Sequence, residues 1–167
     1  MKMTLSKRIR QRVTGDEMSD PKPPAWLKSM NKAVMAIQNL GIVTGPVRVL
    51  TVPGRKSGEP RSTPATPFMF HDSLYVVGGY PRADWVLNAR AAGGGTVTRG
   101  RRSERVSFVE ITAEEARPVL RAFPDRVPRG VGFFKRSGLV QQGTADEFEA
   151  LAGRCAVFRL DTVSTSN

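Results

Sequence analysis

Short β-prone runs cut by turn residues fill the middle of the chain, and their spacing constrains the fold more than any other feature. "VRVLTV" (47–52), "STPATPFMF" (62–70) and "SLYVVGG" (73–79) follow one another with Gly, Pro or Asp between them. Runs of this length, so punctuated, predict neighbouring antiparallel strands. "HD" between Phe70 and Ser73 predicts a hairpin turn. In the third run Leu74 and Val76 point one way and Tyr75 and Val77 the other, which predicts burial on both faces, as in a small closed barrel. "GTVTRGRRSERVSFVEI" (95–111) reads as a second hairpin with Gly100 at its tip, and "CAVFRL" (155–160) as a last strand.

Helical signals lie before, between and after the strands. From Ala25, Trp26, Met30, Val34 and Ile37 recur at helical steps with Lys28, Asn31, Lys32 and Gln38 opposite; Pro24 suits the start and Gly41 the stop. "DWVLNARAAGGG" (84–95) predicts a short helix halted by glycines. Thr112 to Glu115 and Thr144 to Glu147 form capping boxes that predict helices near 113–123 and 145–152, with Pro118 giving a kink or a late start. The stretch 131–143 shows no clear period. Together these predict a mainly β, α+β chain: an antiparallel split β-barrel of about six strands, with an N-terminal amphipathic helix and short peripheral helices. A doubly wound parallel sheet would need strand and helix to alternate from the start.

At 167 residues the chain suits one domain, expected over 25–161, after a basic, Pro-containing segment at 1–24 and before a flexible tail at 162–167. Twenty-six Lys and Arg against 15 Asp and Glu leave a charge of +11, which attracts polyanions: nucleic acid, an acidic leaflet or an anionic cofactor. Cys155 and His71 are each the only residue of their kind, which excludes an intrachain disulfide and a Cys-based zinc cluster and leaves His71 as the sole base for any triad. Cys155 reads as a small core residue and His71 as a turn residue. No apolar run predicts a signal peptide or a membrane span, so a cytoplasmic protein is expected. The basic opening, with Lys2, Lys7, Arg8, Arg10 and Arg12, fits either a peripheral membrane contact or a solvated terminus.

"VLTVPGRKSGEPRSTP" (49–64) runs an apolar strand into a turn loaded with Arg55, Lys56 and Arg61. Ser57 and Gly58 add backbone amides able to cup an oxygen, and each arginine can fork onto phosphate or carboxylate. A solvated basic turn is the alternative from composition alone. The spacing matches neither a Walker loop nor GxGxxG.

"LTVPGRKSGEPRSTPATP" and "YVVGGYPRADWVLNARAAGGG" together resemble the deazaflavin-dependent nitroreductase and quinone reductase family, whose members use coenzyme F(420) on a split barrel related to FMN-binding folds. Two motifs carry the resemblance, GRKSGxxRxTP and WxxNxxA, in the expected order across residues 26–111. The resemblance implies that Arg55, Lys56 and Arg61, with the backbone of Ser57 and Gly58, hold the cofactor's phosphate and oligoglutamate tail. It further implies that Thr63 and Pro64 pass along the ring, that Gly78, Gly79 and Tyr80 surround its edge, and that Trp85 and Asn88 lie beside it. Tyr80 is the one candidate proton donor or orienting group. The tyrosine-rich pocket of the nitroimidazole-activating members is not evident, and Phe133, Phe134 and Leu139 are expected to form an apolar wall instead.

The implied activity is hydride transfer from reduced F(420) to a small-molecule acceptor such as a quinone, nitro compound or activated alkene. An FMN-dependent reductase on the same barrel is the first alternative. A non-enzymatic basic module for nucleic acid or an anionic membrane is the second, although aromatic residues are sparse around the arginine clusters. Nucleic acid is therefore not an expected partner, and the oligomeric state is left open. An excess of Arg over Lys, 19 to 7, suits an actinobacterial source.

Overall fold

The structure is a computed structural model that describes residues 23–25, 32, 36 and 45–164. The basic opening, and nearly all of the helix expected from Ala25, fall outside the described residues.

Seven strands form one antiparallel sheet. In chain order they are β1 (Arg48–Pro53), β2 (Pro60–Ala65), β3 (Phe68–Phe70), β4 (Ser73–Gly78), β5 (Gly94–Arg99), β6 (Arg102–Glu110) and β7 (Ala156–Thr162). The spatial order is β2-β1-β5-β6-β7-β4-β3, so β2 and β3 are the two edges of a half-barrel. The count exceeds the expected six because the run 62–70 is not one strand. Pro67 has no N–H to give a ladder, and the residue before a proline is restricted, so the chain breaks there. It leaves one edge as β2 and returns at the opposite edge as β3. Pro60 and Pro64 are tolerated because β2 pairs on one side only, with β1. The turn between β3 and β4 is the expected "HD", with His71 at φ 50 and its ring edge-on to Phe70.

Four helices are described: α1 (Asp84–Ala92), α2 (Ala113–Arg126), α3 (Pro128–Arg136) and α4 (Ala145–Glu149). Gly93 stops α1 in the left-handed region at φ 65, its N–H donating to the Ala89 carbonyl. Both capping boxes are present. Pro118 neither delays nor divides α2, because it lies on the exposed side, where the carbonyl it leaves unpaired meets water. Ala116, Val119, Leu120 and Phe123 bury the other side. α4 is shorter than expected, ending before a turn closed by Gly153 at φ 81.

Two apolar clusters result, and β4 belongs to both. Leu74 and Val76 join Leu50, Val52, Phe108 and Phe158 inside the curve of the sheet. Tyr75 and Val77 face a second cluster under the helices, with Leu120, Phe123, Phe134 and Phe148. Phe148 is fully buried, stacked on Phe123 at 4.9 Å and edge-on to Phe134 at 5.0 Å. Such ring pairs contribute about 0.5–1.5 kcal/mol each beyond their area. This cluster fastens α3 against the sheet, and α3 becomes one wall of the cleft described next.

Candidate active site

The turn after β1 and the start of α1 meet across a cleft of about 820 Å³. β1 ends at Pro53, and Gly54 begins a tight loop: its N–H donates to the Glu59 carbonyl at 2.8 Å, and Gly58 N–H donates to the Gly54 carbonyl at 2.7 Å. The loop projects Arg55 toward α1. There Asn88 Oδ1 accepts from the Arg55 backbone N–H at 3.1 Å and from its Nη1 at 2.9 Å, while Asp84 Oδ1 accepts from Nη2 at 3.1 Å. Asn88 is the only buried polar residue among those described, at 4% exposure. A buried amide left unpaired costs about 1–3 kcal/mol, so Asn88 commits the loop to this conformation. The two sequence motifs, 33 positions apart at this pair, are thus joined by one side chain.

Glycines form the floor. A Cβ on Gly78 would stand 2.8 Å from Val86 and 2.9 Å from the Trp85 ring; one on Gly79 would stand 3.1 Å from Phe133 and 3.2 Å from Leu139. Only bare backbone fits between these side chains. Trp85 packs on the barrel core 5.9 Å from Phe158. Tyr80 is 5% exposed, its ring edge-on to Phe133 at 6.0 Å. Behind it Arg90, at the end of α1, forks onto Glu110 at 2.7 Å through both Nε and Nη2, and its Nη1 donates to the Pro81 carbonyl at 2.8 Å. This bidentate pair raises the guanidinium pKa and ties the Tyr80 loop to β6. Cys155 Sγ reaches the Gly79 carbonyl at 3.7 Å, and burial pushes its thiol up to about 12, so it packs as a core residue without thiolate reactivity.

Eleven of the twelve residues singled out from the sequence line this one cleft: Arg55, Lys56, Ser57, Arg61, Thr63, Pro64, Gly78, Gly79, Tyr80, Trp85 and Asn88. Gly58 does not. It turns the loop at φ 72, a conformation that favours glycine, and faces open space. Of the expected apolar wall, Phe133 and Phe134 line the cleft, whereas Leu139 packs behind them against Gly79. Sequence reasoning missed Arg129, Gly130 and Arg136, which also line it from α3. Their signal was a spacing of four and three from Arg129 through Phe133 to Arg136, one face of a helix. Five cationic side chains therefore border the cleft against one carboxylate, Asp84.

Among the described residues no group of His, Cys, Asp and Glu could hold a metal ion, and no helix is long and apolar enough to cross a membrane. The sequence has no match among curated proteins. Two solved structures share the fold: one described as a domain-swapped dimer, at 19% identity and a TM-score of 0.51, covering 81% of this chain and 97% of that one, and a protein of unknown function from Agrobacterium tumefaciens, at 13% and 0.53, covering 80% and 55%. A structure described as an F(420)-H(2)-dependent reductase aligns at 19% identity and a TM-score of 0.49 over 72% of this chain and 98% of that one. A family model described as F(420)H(2)-dependent quinone reductase matches residues 26–130, which takes in the basic loop, the glycine floor, α1 and the first turn of α3. The chain belongs to this family of deazaflavin-dependent oxidoreductases, and the FMN alternative is left without support.

Proposed function

We propose that this cleft holds reduced F(420), with Arg55, Lys56 and Arg61 on the anionic tail and Thr63, Pro64, Gly78 and Gly79 along the ring, and that the acceptor is a quinone, nitro compound or activated alkene. The residues fit such a group. Cations converge on one end, bare backbone forms a floor that a single Cβ would obstruct, and the volume lies in the range usual for cofactor sites, about 300–1,000 Å³. When bound, the reduced deazaflavin supplies the hydride.

The chain's own residues bind, orient and exclude water. Arg55 is pre-organised by Asn88, so little side-chain freedom is lost when it meets an anion. Lys56 and Arg61 add charge at the same end. Phe133 and Phe134 keep the other end dry, which strengthens every charged contact made inside. Tyr80 Oη is the group we assign to orient the acceptor or to deliver a proton to it, since Tyr80 lies in the cleft beside Phe133.

The observation that carries this proposal is the Arg55–Asn88 pair, which closes the cationic loop onto the helix at the cleft. The test is loss of reduced F(420) absorbance on adding a panel of quinones to the purified protein, with the cofactor's dissociation constant measured in parallel. Binding in the micromolar range or tighter with turnover of at least one quinone is expected. No binding at all would overturn the assignment of the cleft.

A further inference from the structure

The α3 wall carries charge that the cofactor assignment does not use. Arg129, Phe133 and Arg136 stand at i, i+4 and i+7 and so share a face, and all three line the cleft. Phe133 is the bridge to the floor: its ring stands beside Gly79 and edge-on to Tyr80. The stripe therefore lies at the end where the acceptor would meet the ring, and the Arg55, Lys56 and Arg61 cluster is borne by a different wall, the β1–β2 loop. The only carboxylate lining the cleft, Asp84, is engaged by Arg55 at 3.1 Å and faces the opposite wall from α3. Two arginines flanking an aromatic ring form a receptor for a flat aromatic body with a fixed anionic group: the ring packs on Phe133 and a guanidinium forks onto carboxylate or sulfonate.

We propose that the acceptor is an aromatic or quinonoid compound carrying a fixed negative charge, selected by Arg129 and Arg136. The proposal rests on the cofactor assignment above. In the reaction the acceptor gains the hydride and one proton and leaves as its two-electron-reduced form, with the anionic group unchanged.

The test uses two matched pairs of probes on the full chain. Naphthalene sulfonate and its neutral sulfonamide, which are not reduced, report affinity by equilibrium dialysis in the presence of oxidised F(420). A naphthoquinone sulfonate and menadione report turnover. Arg129→Gln/Arg136→Gln is expected to weaken sulfonate binding about tenfold, to change sulfonamide binding less than about twofold, and to lower the ratio of kcat/KM for the anionic over the neutral quinone about tenfold. Equal losses for both members of a pair, or no loss, would overturn the proposal. So would a rise of more than about fivefold in the dissociation constant of F(420), which would assign the two arginines to the cofactor instead. If the wild-type protein binds no F(420), the cofactor assignment fails first; if it binds F(420) and the variant keeps the anion preference, only the acceptor proposal fails.

Discussion

Two hairpins of this chain are loaded with cations, and only one of them builds a site. The β1–β2 loop holds Arg55, Lys56 and Arg61; the β5–β6 hairpin holds Arg99, Arg101, Arg102 and Arg105. By composition the second is the more basic. Yet Arg99, Arg101 and Arg102 are exposed and make no side-chain hydrogen bond or ion pair with a described residue, while Arg55 is held by three hydrogen bonds against α1. The difference lies in what faces each loop. β1 sits beside α1, so its loop opens onto a concave wall; β5 and β6 pair tightly up to Arg99 and Arg102 and carry their tip out into solvent. Charge becomes binding energy only where the backbone also supplies concavity and a buried partner.

The largest expected effect separates the two loops directly. Arg55→Ala/Lys56→Ala removes two charge-assisted contacts, each worth about 1.5–3 kcal/mol, and should weaken F(420) binding by about 100-fold or more in a fluorescence titration. Arg99→Ala/Arg102→Ala should change it by less than about twofold. Comparable losses in both variants would mean that net charge, not placement, drives binding.

A smaller effect isolates placement from charge. Asn88→Leu leaves all three cations of the loop in the chain but strips Arg55 of its acceptor. Cofactor affinity should fall about tenfold, and urea denaturation should show about 1–3 kcal/mol of lost stability, since a backbone N–H and a guanidinium lose their partner. Asn88→Asp keeps an acceptor oxygen and should recover most of the affinity. Equal affinity loss in both substitutions would contradict the view of Asn88 as a positioning residue acting through Arg55.

Much of this placement could be anticipated, and the misses have physical causes. The β3–β4 turn, the two-sided burial of β4 and the capped starts of α2 and α4 all follow from signals within a few residues of each other. The division of 62–70 was hidden because Ser62 to Ala65 and Phe68 to Phe70 look equally strand-like; which edge each joins is decided by partners far away in sequence. α3 was hidden because Gly130, Gly132 and two phenylalanines are poor helix formers, and the helix exists chiefly through Phe134 packing on Phe123 and Phe148. With α3 unseen, Arg129 and Arg136 could not be placed in the cleft. The role of Asn88 was likewise illegible, because its partner lies 33 residues away.

Salt sharpens the contrast between the loops at moderate cost. Added salt screens exposed charges over about 8–10 Å near physiological strength but acts less on partly buried pairs. The β1–β2 cluster mixes both, with Arg55 at 30% side-chain exposure and Arg61 at 61%. Raising salt from about 50 to 500 mM should weaken cofactor binding several-fold in the wild type. In Arg61→Ala the slope should be visibly shallower, and in Arg99→Ala/Arg102→Ala it should match the wild type.

The smallest expected effect concerns how the α3 side of the cleft is fastened, for which the β5–β6 tip has no counterpart. Glu147 accepts from the backbone N–H groups of Gln141, Gln142, Gly143 and Thr144, the segment that follows α3, and these bonds hold its carboxyl down to about 2. The folded value lies below the ordinary 4.5, so the clamp's contribution is fully present above about pH 4.5 and is lost as pH falls toward 2. The amide resonances of Gln142 and Gly143 should therefore titrate together with a midpoint near 2, while those of Gly100 and Arg101 stay unmoved by this carboxyl. Glu147→Gln should abolish that titration and loosen the segment at neutral pH. A midpoint near 4.5 in the wild type would show that the four amides do not hold the carboxylate, and that α3 depends on its phenylalanine packing alone.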